Sequence, residues 1–135
     1  MLHITLPPET PAVSDDELIR DLVLHSAAVR AVFLAQCDYA VGVRGRRIVT
    51  VRKVVEAQGN APVERRVVSL DPNLRRTSGV LVRLGDAEPD LVATLVGHPD
   101  PLTAGPVGGV RMVELALIVK GVSTPLGQSG RPQRP

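Results

Sequence analysis

Aromatic side chains are nearly missing: Phe33 and Tyr39 are the only two in 135 residues, and there is no tryptophan. A core without rings has to be assembled from Val, Leu, Ile and Ala, and the excess of valine favours strands. The same shortage argues against a single-strand nucleic-acid surface, which stacks bases on rings. It also argues against a broad protein interface anchored by Tyr or Trp. Cysteine is as scarce. Cys37 is alone, which rules out a disulfide framework or a thiolate metal cluster and makes a reducing cytoplasm the expected compartment. Its expected fate is a small buried hydrophobe near a helix end. His3, His25 and His98 lack the short spacings of a metal site, so no metal is expected. No apolar run approaches the roughly 20 residues that cross a bilayer. The opening Met1–Pro8 lacks the basic and long apolar regions of a secretion signal.

Lysine appears only as Lys53 and Lys120, so the basic side chains are arginines, yet the formal net charge is only +2. Arg44, Arg46, Arg47, Arg52 and Lys53 form a local basic run. With no helix carrying several basic residues on one face, a solvated surface is the expected reading and nucleic acid is not an expected partner. An apolar fraction of 44% and a charged fraction of 22% are ordinary for a soluble globular chain. The length suits one core rather than two.

Residues 1–13 hold three prolines and read as an irregular lead-in. Ser14-Asp15-Asp16-Glu17 is a capping box with acids in the first turn, where the helix dipole favours them. From it a helix is expected to about Gln36, with Leu18, Leu22, Ser26, Val29 and Phe33 on one stripe and a possible break near His25-Ser26. Tyr39–Val43 reads as a short strand and Arg44–Arg47 as a turn. Ile48–Glu56 and Val63–Leu70 read as a hairpin joined at Gln58-Gly59-Asn60-Ala61-Pro62. Gly79–Leu84 is a further strand, Leu91–Val96 a short helix ending at Gly97, and His98–Gly109 a long Pro/Gly loop. Val110–Val119 is expected as a last apolar strand. The chain then divides into one domain over 1–121 and a tail over 122–135 with the composition of disorder. The predicted fold is α+β: an antiparallel sheet with N-terminal helices on one face, the other face solvated or forming a ligand pocket.

Arg52 in the first hairpin strand and Glu114 in the middle of the last strand are charges where the pattern predicts burial. Buried charges persist when paired, and a charged ligand can supply the pairing. A guanidinium fork suits a carboxylate, and a desolvated carboxyl group can remain protonated and serve as an acid. Arg111 lies three residues before Glu114 and would point to the opposite side of an extended strand. The competing reading is that each charge faces water. No serine sits in a nucleophile elbow, and Gly108-Gly109 is not a phosphate loop.

The run Val51–Leu70 resembles the central hairpin of the chorismate pyruvate-lyase and UTRA superfamily, in which an arginine-bearing strand leads through a Gly-x-Pro turn. Leu22–Phe33 is similar to that family's opening helices. Asp100-Pro101-Leu102 is similar to its Asp-Pro-Leu-Gly turn, with Thr103 in place of the glycine. Gly109–Ile118 resembles its last strand, with Glu114 in the carboxylate's place. The resemblance implies a cofactor-independent lyase that eliminates pyruvate from chorismate to leave a hydroxybenzoate. Glu114 would be the general acid, and Arg52, Ala27 and Arg66 would contact the carboxylated substrate. His98, from its place in the Pro/Gly loop rather than from the resemblance, is a further candidate contact to substrate, the alternative being an exposed loop histidine. The alternatives are a non-catalytic ligand-sensing module of the UTRA kind and an assembly domain pairing through an exposed strand edge. Either a monomer or a homodimer is compatible with the sequence.

Overall fold

Residues 2–5 already depart from the expected irregular lead-in. In the computed structural model, which describes residues 1–9, 12–26, 37–62, 78–103 and 105–123, Leu2–Thr5 is strand β1. It lies inside the sheet, so side chains on both of its faces are buried. Helix α1 (Asp15–His25) follows. As the capping box predicts, the Ser14 hydroxyl accepts from the Glu17 N–H at 3.2 Å, and Leu18, Ile19, Leu22 and Val23 form the buried stripe. Strand β2 (Tyr39–Arg44) and strand β3 (Arg47–Pro62) are antiparallel. The turn between them holds Gly45 and Arg46 at φ of 60° and 67°. Two positive φ angles between paired Arg44 and Arg47 are the mark of a two-residue hairpin whose twist matches its strands.

Strand β4 (Ser78–Asp86) pairs antiparallel with β3 from Arg52 out to Pro62. The expected turn at residues 58–62 is therefore strand. Register shifts between Val54 and Glu56 and between Gln58 and Ala61 absorb the irregular Gly-Asn stretch as bulges. The expected second hairpin strand, 63–70, lies outside the described residues. So do the helical stretch beyond Ser26 and residues 124–135 of the expected tail, whose first two residues, Val122 and Ser123, instead end a helix. Helix α2 (Pro89–Leu95) has proline in its first turn and Gly97 at φ 90° just after its end.

The expected last strand over 110–119 is overturned. Strand β5 is only Val110–Met112, and Leu115–Ser123 is helix α3. An apolar run of this length does not separate strand from buried helix by composition alone. The helical period decides it: Leu115, Ile118, Val119 and Val122 all pack into one cluster.

The sheet order is β4-β3-β2-β1-β5. β1 runs parallel to β2, and the other pairings are antiparallel, so the sheet is mixed rather than antiparallel throughout. The parallel pair follows from α1, which carries the chain back to start β2 at the same end as β1. Alternation then sorts two cores. Leu2, Ile4, Ala40, Val80 and Val82 face α1. Met1, Val41, Val43, Ile48 and Val51 face the other way and pack with Leu95 and Ile118. The expected single covered face is thus two covered faces, with α1 on one side and α2 and α3 on the other. Among the described residues no helix is long and apolar enough to cross a membrane.

Candidate functional site

Two strand arginines fix the start of α1. Arg44 donates through Nη2 to Asp15 Oδ1 at 2.8 Å and through Nε to the Pro7 carbonyl at 2.8 Å. Arg52 donates through Nη1 to Asp86 Oδ1 at 2.7 Å. Its Nε approaches Asp16 Oδ1 at 3.1 Å but lacks the alignment of a hydrogen bond, so that approach is a charge contact only. The acids of the first turn therefore complement both the helix dipole and the sheet.

With α1 held there, Glu17, Arg20, Asp21 and Leu24 fall on one face at helical spacing. Together with Val13 they form one wall of a cleft of about 370 Å3, whose other wall comes from Glu56 and Gln58 of β3 and Leu81, Val82 and Arg83 of β4. This volume is within the range that small-molecule sites occupy. Three carboxylates and two guanidinium groups stand around an apolar part made by Val13, Leu24, Leu81 and Val82. Glu56 and Arg83 lie 3.6 Å apart, both mostly exposed, so their mutual attraction is weak. Asp21 is buried, and His25 Nδ1 sits 3.3 Å from its Oδ1 and 2.8 Å from its backbone carbonyl. Arg20 and Glu17 project from the exposed side of the helix.

The residues expected to form a site do not gather here. Arg52 lies on β3 with a side chain one quarter exposed, engaged by Asp16 and Asp86. Glu114 is exposed and sits just before α3, where its carbonyl accepts from the Leu117 N–H at 3.1 Å. It borders a shallow groove beside Cys37, Asp38 and Tyr39, and β2 and β1 separate Arg52 from β5. The structure does not bring Arg52 and Glu114 together. His98 is exposed in the loop after α2, where its carbonyl accepts from the Ile48 N–H at 2.9 Å. Ala27 and Arg66 lie outside the described residues. Cys37 is buried, as its composition context suggested.

Sequence reading missed a second polar cluster. His3 is 1% exposed, and its Nε2 lies 3.0 and 3.2 Å from the two carboxylate oxygens of Asp100. Arg111, its cross-strand partner on β5, donates through Nε to His3 Nδ1 at 3.3 Å and through Nη2 to the Thr103 carbonyl at 2.6 Å. The partners of His3 are separated from it by 97 and 108 positions, so no local spacing could have announced the cluster. Among the described residues no group of His, Cys, Asp and Glu is arranged to hold a metal ion.

Fold and site together define a three-layer domain, a mixed five-stranded sheet between helices, with a charged cleft beside its β4 edge. No protein-family model, curated protein or solved structure matches the chain.

Proposed function

We propose that the domain binds a small carboxylated molecule in the cleft between α1 and the β3–β4 ribbon, as a ligand-binding module rather than as an enzyme. The observation that carries this reading is the cleft itself: a volume of about 370 Å3 in which guanidinium groups, carboxylates and an amide surround apolar side chains. Polar groups placed around an apolar surface are what orient a small ligand. Arg20 offers a planar fork for the ligand's carboxylate. Glu17 and Gln58 can accept from a hydroxyl or amino group on the same molecule.

Turnover of the chorismate-lyase kind relied on Arg52 and Glu114 meeting over one substrate. The separation of the two favours binding over elimination. The test is a calorimetric titration with 4-hydroxybenzoate and with chorismate, alongside an assay for released pyruvate. The expected result is binding without pyruvate release. Affinity should fall at least about tenfold in Arg20→Ala, the scale of one charge-assisted contact, and stay unchanged in Arg52→Ala. An absence of heat with both compounds, or affinity indifferent to Arg20, would remove this reading. Pyruvate release lost in Glu114→Gln would restore the lyase.

A further inference from the structure

The buried His3 carries its proton in one arrangement only. A guanidinium group can donate but never accept, so Nδ1, facing Arg111 Nε at 3.3 Å, must present its lone pair. The ring proton is then on Nε2, pointing at Asp100. The imidazole is neutral and bridges an anion on one side to a cation on the other.

We propose that His3 is a proton-operated latch for the Thr103 end of the segment Gly97–Thr103, whose first four residues are held by the β2–β3 hairpin. With Nδ1 unprotonated, Arg111 is seated on His3 and its Nη2 holds the Thr103 carbonyl. A proton added to Nδ1 turns the acceptor into a donor and places two cations against each other. Arg111 must then leave, and Thr103 loses its tether. The His3–Asp100 contact survives and becomes a full ion pair, so the change is confined to the Arg111 side.

The charged surroundings of the ring support a local event. Arg111 faces it from β5 and Asp100 from the loop, whereas its β2 partner is the uncharged Val41. The amino group of Met1 is occupied by the Val113 carbonyl at 2.6 Å. α3 meets the segment through Gly121, which lies directly against Pro101, and its Lys120 is exposed. Arg46 and Arg47 reach the segment through backbone contacts at Asp100 and Pro99, and the Arg47 guanidinium donates through Nη1 to the Gly97 carbonyl at 2.9 Å. The latch does not depend on ligand binding in the α1 cleft.

Nitrogen-detected NMR of the whole chain tests it, following the His3 ring, the Arg111 Nε–H and the backbone around Thr103 as pH is lowered. We expect the Nε2–H tautomer at neutral pH. The Arg111 Nε–H should lose its protection from solvent exchange in step with protonation of His3, with the Thr103 signals moving over the same pH range. In Arg111→Met the ring should still titrate while the Thr103 signals no longer follow it. If that variant does not fold, Arg111→Gln, which removes the cation that a protonated His3 would repel, gives the same readout. An Nδ1–H tautomer at neutral pH, or Arg111 and Thr103 signals that ignore the state of His3, would overturn the latch.

Discussion

Tyr39 and Glu88 show how two side chains 49 positions apart tune each other. The tyrosine hydroxyl donates to the Glu88 carboxylate. That bond first, then burial and the charges of Glu88 and Asp38, pushes the phenol above its ordinary value of 10.0. The same bond is the largest cause holding Glu88 below the usual carboxylate range, with a backbone hydrogen bond next and Lys53 assisting, against an opposing effect of burial. The contact therefore stabilises the fold between two limits. It is lost as pH rises through the raised phenol value, and lost again as pH falls through the depressed carboxylate value. Since Tyr39 is the only tyrosine and tryptophan is absent, near-ultraviolet absorbance of tyrosinate reads this residue alone. Its midpoint should lie above that of a free phenol, and Glu88→Gln should bring it back down. A wild-type midpoint at the free-phenol value would contradict the contact. Little of this scale was legible in the sequence. Arg52 was singled out as a buried charge needing a ligand or a partner; its side chain is one quarter exposed and it is engaged by the chain's own Asp16 and Asp86. Glu114 stood out only because its neighbours were read as extended.

Elements were more legible where local chemistry is strong. Ser14 and Glu17 started α1 where the capping box said, and the Gly45-Arg46 turn joins the strands on either side of it. The misreading of Leu115–Val119 as strand has a physical origin, since Leu-Ala-Leu-Ile-Val is apolar on every side and hides its helical stripe. β4 carries the clearest constraint. A Cβ placed on Gly79 would lie 2.0 Å from the Leu24 carbonyl oxygen and 3.0 Å from its carbonyl carbon, so strand and helix end touch backbone to backbone. Only a residue without a side chain permits that approach. Gly79→Ala has to push α1 off the sheet, and urea unfolding should show a loss of at least about 2 kcal/mol, as for other overpacked sites. A change below about 0.5 kcal/mol would mean that α1 and β4 are further apart than described.

At the scale of the whole molecule, the α+β class followed from the mixture of a capped helix and β-branched runs, but the layering did not. A sheet with one helical face was expected; helices cover both, because residues 115–119, read as strand, belong to helix α3 (Leu115–Ser123), which packs beside α2. Nor was the mixed pairing visible, since it depends on β1, a four-residue strand followed by Pro7-Pro8. Pairing Leu2 with both Ala40 and Met112 makes the central contacts distant in sequence. Loop closure must come before they form. Refolding from urea, followed by stopped-flow circular dichroism, should accordingly take milliseconds or longer, and a microsecond phase carrying the full amplitude would count against this topology.

Residues 2–5 are translated more than a hundred residues before their antiparallel neighbour on one side, residues 110–112. During synthesis that flank of β1 has no hydrogen-bonding mate of its own, and any other extended chain nearby can compete for it until residues 110–112 emerge. The shape of this sheet thus depends on β5, which is translated after the four other described strands.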